Sequence, residues 1–544
     1  MRARSLLLPA GHYPIHAAGS RCRANSRLAA FAAAITFLSS GAVLFAGTDT
    51  DGDGLSDAVE TNTGVFVSAE DTGTDPSNAD TDGDGFRDGV EVWRYTDPCD
   101  SQSAPSQPNI IYILADDLGY GDLGCYGQQA IGTPHLDAMA AQGVKFTQHY
   151  SGSTVCAPSR SALMQGRHTG RCWVRGNVRV GAGNMPLPPE TLTIGRVLQQ
   201  AGYVTGCIGK WGLGYPGSVG HPNEQGFDHF FGWLDQAAAH EHYPAGDDKI
   251  YRNYDGIPLD GTQYANDLFN AEVEQFLQEH VNQPFLLYFC PTLPHSRMQA
   301  PPGGIDPEYA RQAWPANEKT FATMVSELDR SVGRILQTLQ ALNLDENTLV
   351  VFSSDNGPHN EGGHSAAFFN SNGQLRGIKR DLYEGGIRVP MIARWPGHLP
   401  EGATSAHVSA FWDVMPTLAE LGGAPMPADT DGLPFTPSLF DQPQYARHAH
   451  LYWEFYEANP APRQGVRWGD WKGVRLNQNA PIQLYDLAGD PGETNDQAGE
   501  YPEVVAEIAA IMTASREASP FFPTVLDAVL APHTAWFPLR KARA

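Results

Sequence analysis

Cys156 lies in the segment Ser153-Thr-Val-Cys156-Ala157-Pro158-Ser159-Arg160-Ser-Ala-Leu163-Met-Gln-Gly166-Arg167. Pro158 suits the first turn of a helix, and Gly166 suits its end. A thiol there, with Arg160 one turn on, sits where an anion or oxyanion is stabilised. Four other polar clusters could serve such a centre: Asp116-Asp117, Asp355-Asn356-Gly357, Gly209-Lys210-Trp211 and Pro294-His295. Carboxylate and amide oxygens are hard donors for a divalent cation, and imidazole carries protons. Taken singly, the acidic pairs are ordinary caps or turns, His295 a structural histidine and Lys210 a surface charge.

What joins them is the text in front of each. Residues 110–114, 349–352, 285–289 and 203–208 are apolar runs rich in β-branched and aromatic residues. Such runs read as parallel strands buried on both faces. Helical stretches at 193–201, 267–280 and 321–342 lie between them. The fold class is therefore α/β, and in open α/β sheets ligands bind beyond the carboxyl ends of the strands. Four strands delivering Asp-Asp, Lys, His and Asp-Asn to one edge predict one polar site.

A second constellation is acidic and repeated. Asp49-Thr-Asp51-Gly-Asp53-Gly-Leu55-Ser-Asp57-Ala-Val-Glu60 recurs as Asp80-Thr-Asp82-Gly-Asp84-Gly-Phe86-Arg-Asp88-Gly-Val-Glu91. Oxygen donors at loop positions 1, 3, 5, 9 and 12, with glycine at 6, match a calcium loop. The segment resembles the calcium-binding repeats of thrombospondin type 3 and dockerin modules. A solvated acidic linker is the plain alternative. So small a piece lacks a core without its metal, which makes its local role structural.

The text around Cys156 resembles the type I sulfatases of the alkaline phosphatase superfamily. Cys-x-Pro-Ser-Arg followed by Leu-x-x-Gly-Arg carries the likeness, together with Ala115-Asp-Asp-Leu-Gly-Tyr-Gly, Gly209-Lys-Trp, Ser354-Asp-Asn-Gly, Arg376-Gly-Ile-Lys379 and Tyr383-Glu-Gly-Gly-Ile-Arg388-Val-Pro. The resemblance runs from about 108 to 523 and implies a mixed sheet flanked by helices. Short strand-like runs at 450–455, 464–475 and 482–486, with a helix at 503–514, resemble the family's small C-terminal antiparallel subdomain.

The resemblance also implies residue roles. Cys156 becomes formylglycine (3-oxoalanine) through a formylglycine-generating enzyme that reads Cys156, Pro158 and Arg160. Asp116, Asp117, Asp355 and Asn356, with the modified Cys156, match the ligands of a divalent cation, usually calcium. All-oxygen coordination favours a hard ion over zinc. Arg160 steadies the nucleophile. Lys210, His295 and Lys379 match sulfate contacts, with His295 or Lys379 protonating the leaving alcohol. One hydroxyl of the hydrated aldehyde attacks sulfur and the second expels sulfate, which a serine or cysteine could not do. One residue departs from the family pattern. A histidine usually follows Gly-Lys-Trp and is the expected base for sulfate release, but Gly212 stands here, and His240 and His242 are the candidate substitutes.

The 544 residues carry a net charge of −25, which argues against nucleic-acid partners. Residues 48–104 alone supply 15 acids against Arg87 and Arg94. The first 27 residues hold five arginines and no acid, and an apolar run at 28–45 follows. This reads as an export signal, with a membrane anchor as the alternative if it is not cleaved. The expected organisation is a signal at 1–47, a calcium-binding module at 48–106, a catalytic domain at 107–445 and a C-terminal subdomain at 446–544. The expected protein is exported, to periplasm, cell surface or medium, and acts on a sulfated small molecule or carbohydrate. A phosphate or phosphonate monoester hydrolase of the same superfamily is the rival enzyme. A calcium-dependent surface or matrix-binding protein is the rival of another class.

Overall fold

The computed structural model describes residues 47–247, 249–457 and 462–524. The expected signal at 1–47 lies almost wholly outside the described residues. No helix among the described residues is long and apolar enough to cross a membrane.

The main sheet has eleven strands. Seven of them position the site: β1 (Asn109–Ala115), β2 (Val144–Tyr150), β3 (Val204–Lys210), β4 (His229–Trp233), β5 (Phe285–Cys290), β6 (Thr348–Ser354) and β7 (Arg388–Arg394). Their order across the sheet is β2-β7-β6-β1-β5-β3-β4. β1 runs parallel to β6 and β5, β5 to β3, and β3 to β4. β7 alone reverses direction, pairing antiparallel with both β6 and β2. The sheet is mixed, as the resemblance implies, and six carboxyl ends share one edge.

Side-chain alternation along β1 builds two cores. Ile110, Tyr112 and Leu114 enter one apolar cluster, while Ile111, Ile113 and Ala115 enter the other. Every residue of β1 is buried. At roughly 1.5–3 kcal/mol per fully buried large aliphatic side chain, a polar residue inside this strand would be costly. The polar groups are therefore held back to the position just past its end.

Of the helices, α1 (Asp88–Trp93) belongs to the acidic segment, α2 (Cys156–Gln165) carries Cys156, and α3 (Ala265–Glu279) covers the sheet beside α4 (Ala316–Ala341). In α4, Phe321, Val325, Leu328, Val332, Ile335 and Leu339 recur at helical spacing, and all are buried. Asn343, at φ +57, stops it. The C-terminal sheet is antiparallel, in the order β8 (Leu451–Phe455), β9 (Arg463–Trp468), β10 (Trp471–Arg475) and β11 (Gln483–Asp486). A terminal helix, Pro502–Ala514, lays Ile508 and Met512 against Tyr452, Val466 and Leu484.

The acidic segment is packed onto this body. Arg87 Nη1 pairs with Glu420 Oε1 at 3.0 Å, and the Trp93 and Phe440 rings lie 5.6 Å apart. The Arg94 guanidinium sits 4.6 Å over Trp395. Phe86 fills the space beside Gly423, where a Cβ would come within 3.0 Å of its ring.

Candidate active site

Each polar cluster stands where its strand ends. Asp116 and Asp117 follow β1, Asp355 and Asn356 follow β6, Lys210 closes β3, and His295 lies in the loop after β5. Cys156 opens α2, in the loop leaving β2. The helix therefore starts two residues before the expected Pro158, which sits inside the first turn, where its missing N–H costs nothing. All ten residues of α2 are buried, and Gly166 ends it at φ +61.

The predicted residues come together. Cys156 Sγ is 3.4 Å from Asp116 Oδ1 and 3.3 Å from Lys210 Nζ. Lys210 Nζ also donates to Asp116 Oδ2 at 2.7 Å. Arg160 donates to Asp355 Oδ2 from Nη2 at 2.7 Å and from Nε at 3.1 Å, and to the Lys210 carbonyl at 2.7 Å. Asn356 Nδ2 donates to Asp117 Oδ1 at 2.7 Å, and Lys379 Nζ to Asp117 Oδ2 at 2.7 Å. Asp116, Asp117, Asp355 and Asn356 are all wholly buried.

Three carboxylates this deep need compensation. Against the cost of full burial, Lys210, His295 and Arg160 hold Asp116 well below the usual carboxylate range. Burial, with Asp116 beside it, instead pushes Asp355 up to about 6. Asn356 Oδ1 is buried with no hydrogen-bond partner among the described residues. Ligand atoms of Asp116, Asp117, Cys156 and His295 lie within 4.8 Å of one another. A hard divalent cation fits this oxygen set and would satisfy the orphaned amide oxygen.

Burial, together with Asp355 and Asp116, pushes the Cys156 thiol well above its ordinary value. Burial, with Lys379 nearby, holds His295 below the usual imidazole range, while Asp117 and Asp116 beside it act the other way. His295 Nδ1 lies 2.5 Å from the Ser296 carbonyl, which can only accept. Nδ1 therefore carries a proton, and Nε2 lies 3.2 Å from both Lys379 Nζ and Asp117 Oδ2.

A histidine at 212 would be strained here. The φ of Gly212 is +79, and an added Cβ would meet the Gln236 side chain at 2.8 Å, which would have to move. The two substitute histidines part company. The His240 ring is 4.2 Å from that of His295, and burial, with Lys210 nearby, lowers it to about 4. His242 is turned away: its Nε2 lies 3.0 Å from the His295 carbonyl oxygen and its Nδ1 3.4 Å from Thr292 Oγ1. It holds the loop that carries His295.

Two site residues escape sequence reasoning. Glu361 Oε2 accepts from Lys379 Nζ at 3.2 Å, and its Oε1 from Arg380 at 2.6 Å. Asn177 Oδ1 accepts the Ala157 N–H at 3.2 Å, at the open end of α2. Glu361 follows Asn356 by only five residues, which was its one available signal.

The acidic loops repeat in space as in sequence. Asp49 accepts from Gly52 and Gly54 N–H groups, and Asp80 from those of Gly83 and Gly85. Position 9 closes each loop: Asp57 accepts from Thr50 N and Oγ1, and Asp88 from Thr81 N and Oγ1. Asp51, Asp82, Asp84, Glu60 and Glu91 each keep one buried, unpartnered carboxylate oxygen. Burial, with Glu60, Asp51 and Asp88 close by, pushes Asp53 up to about 8. Burial, with Asp84 and Asp82 close by, pushes Glu91 up to about 9.

These shifts fix a sign. In cation-free protein these acids hold protons when folded that they release when unfolded. The stability they contribute is complete below the unfolded carboxylate range, about pH 4, and is lost as pH rises through about 8 to 9. Above pH 7, where the buried histidines no longer titrate in either state, the melting temperature of cation-free protein should fall up to pH 9, and the increment from added calcium should grow across the same interval. A flat or rising cation-free profile in a scanning calorimeter would count against ion binding by the loops.

Comparison with known proteins places this geometry. The model of the family described as Sulfatase matches residues 108–424, and that described as N-sulphoglucosamine sulphohydrolase, C-terminal, matches 378–518. The chain is 31% identical to an N-acetylgalactosamine-6-O-sulfatase of Bacteroides thetaiotaomicron, over 76% of this chain and 94% of that protein. It is 32% identical to a steryl-sulfatase of Mus musculus, over 77% of this chain and 84% of that protein. Among solved structures it resembles Ps i-CgsB in complex with k-i-k-neocarrahexaose, at 28% identity and a TM-score of 0.67, covering 78% of this chain and 96% of that one. With the first model spanning more than half of the chain, and with Cys156, the carboxylates and the basic side chains gathered at one sheet edge, the protein belongs to the sulfatase family of enzymes.

Proposed function

We propose that this sulfatase removes sulfate esters from carbohydrates, using a formylglycine made from Cys156 and one bound calcium ion. The observation that carries the reading is the placement of Cys156. Its Sγ opens α2 with Asp116 Oδ1 at 3.4 Å and Lys210 Nζ at 3.3 Å, among the carboxylates that would hold the cation. The Sγ stands in for an oxygen of the modified residue. Asp116, Asp117, Asp355 and Asn356 would hold the cation, which when bound neutralises charge on the ester and acidifies a nearby hydroxyl.

The chain's own groups divide the remaining work. Arg160 braces Asp355 and the carbonyl of Lys210, and so fixes the Lys210 ammonium against residue 156. Lys379, kept protonated by Asp117 and Glu361 despite burial, is the proton donor to the leaving alcohol. The neutral His240 takes the proton whose removal frees sulfate from residue 156. His240→Ala should slow this second step by roughly 10²–10⁴-fold and leave the first nearly unchanged. Alcohol would then appear in a burst before a slow steady state in stopped-flow assays. His242→Ala should instead lower stability and both steps together.

The polar rim favours sugars over steroids. Glu241 with Arg297, Glu361 with Arg380 and Asp235 with Arg179 form ion pairs beside the residues that enclose the site. Paired charges of this kind bind hydroxyls, whereas a steroid needs an apolar wall. The relatives that act on or bind saccharides point the same way. Assays of sulfated saccharides, a steryl sulfate, an aryl sulfate and an aryl phosphate, on formylglycine-containing protein, decide the matter. Sulfated saccharides should give the highest kcat/KM, and a preference for the phosphate would overturn the reading. The basic, apolar N-terminus supports export as the protein's route, and a shortened N-terminus on mature protein would test it.

A further inference from the structure

Two clefts open side by side away from the catalytic residues. One, of about 650 Å³, lies where the acidic segment meets the catalytic body, and Trp93, Tyr95, Phe440 and Tyr445 line it. The other, of about 560 Å³, lies between the catalytic body and the C-terminal sheet, and Arg447, His448 and Arg467 line it. Gln442 and Pro443 belong to the walls of both, so the two clefts adjoin. Neither contains a residue assigned above to catalysis or to the catalytic cation.

We infer that this double cleft is a second binding site, for a sulfated polysaccharide chain. In the aromatic half Trp93 and Phe440 pack on each other, while Tyr95 and Tyr445 offer what sugar rings stack on: an apolar face with a polar tip. Tyr95 is 86% exposed, an aromatic outside the core. The cationic half offers what sulfate groups pair with. Arg447 is exposed, and its Nε is tied to the Gln444 carbonyl at 3.2 Å, which holds the guanidinium in place. His448 Nε2 is anchored on Asp413 Oδ1 at 2.7 Å. Only Glu401 and Asp470 bring carboxylates to the two linings, in a chain whose net charge is −25. Arg467 is buried and donates to Tyr150 and the Gly469 carbonyl, so Arg447 is the exposed arginine of this lining. A neutral chain would not need it, and a small anion would not need the aromatic half.

The site deepens the carbohydrate reading above and rests on it only for the choice of polymer. Its test needs no turnover. Full-length Cys156→Ala protein is run in native gels containing κ-carrageenan, chondroitin 6-sulfate or heparin, and in gels with each polymer desulfated. At least one sulfated polymer should retard it, less so in high salt, and its desulfated form should retard it much less. Tyr95→Ala and Arg447→Glu should each weaken retardation by about tenfold, as loss of one anchoring group does, and together abolish it. The same two substitutions, placed in the active enzyme, should leave aryl sulfate turnover within about twofold, which also reports that the variants fold. No retardation by any polymer, or unchanged retardation of the double variant, overturns the proposal. Equal retardation by sulfated and desulfated polymers overturns the sulfate reading of the cationic half. A protein that hydrolyses no sulfate ester but loses polymer binding in these variants would refute the proposed reaction and leave this site standing.

Discussion

Replacing Cys156 by alanine should lower sulfate ester hydrolysis by a factor on the order of 10⁴–10⁶, the range seen when a nucleophile or its activating partner is removed. The fold should survive. Cys156 is 2% exposed, but it contacts Asp116 and Lys210 rather than either apolar core, so little packing is lost. Cys156→Ser should be informative in a different way. Its single hydroxyl can accept the sulfuryl group but offers no second hydroxyl to expel it, so one equivalent of alcohol should appear and turnover should stop. Mass spectrometry of the peptide containing residue 156 should find the thiol replaced by a carbonyl oxygen in active protein. Full activity from protein that carries only the unmodified thiol would refute the mechanism.

Removal of the cation should come next in size. Asp116, Asp117 and Asp355 are wholly buried, and Asn356 Oδ1 has no partner among the described residues. A Lewis acid at such a centre contributes several kcal/mol, so dialysis against a chelator should cut kcat by about 10³-fold. Calcium should restore the rate, and zinc should not, since the donors are oxygen. The loops complicate the experiment, because the chelator strips them as well. Asp51→Asn with Asp82→Asn removes one unpartnered oxygen from each loop and should leave kcat at saturating calcium within about twofold. Asp117→Asn should mimic the chelated enzyme at any calcium concentration. A chelated enzyme that keeps its full rate would place the cation outside the reaction.

Much of this site could be read before any fold was known. The run from Ile110 to Leu114 announces a strand buried on both faces, because only such a strand tolerates five consecutive apolar residues before Asp116. The same logic delivered Asp355, Lys210 and His295, and the doubled acidic spacing delivered Asp49 to Glu60 and Asp80 to Glu91. These are local and periodic signals, set by side-chain alternation, capping and turn chemistry within a few residues of the group concerned.

Other features were decided only by tertiary packing. His240 and His242 are two residues apart in one short stretch, yet one ring faces His295 and the other grips its loop. Gly212 stands where a histidine is usual, and only the packed structure shows the positive φ and the approach of Gln236 that would strain a side chain there. Glu361 gains a role because a long loop returns Lys379 and Arg380 to it. The acidic segment, which reads as a separate module, is docked through Arg87, Trp93 and Arg94 on residues far along the chain. The amino-acid sequence by itself thus determined which groups reach the sheet edge, because strand ends are local. Which loop side chains turn toward that edge was decided by contacts between segments tens to hundreds of residues apart, and those form only when both apolar faces of the sheet are covered.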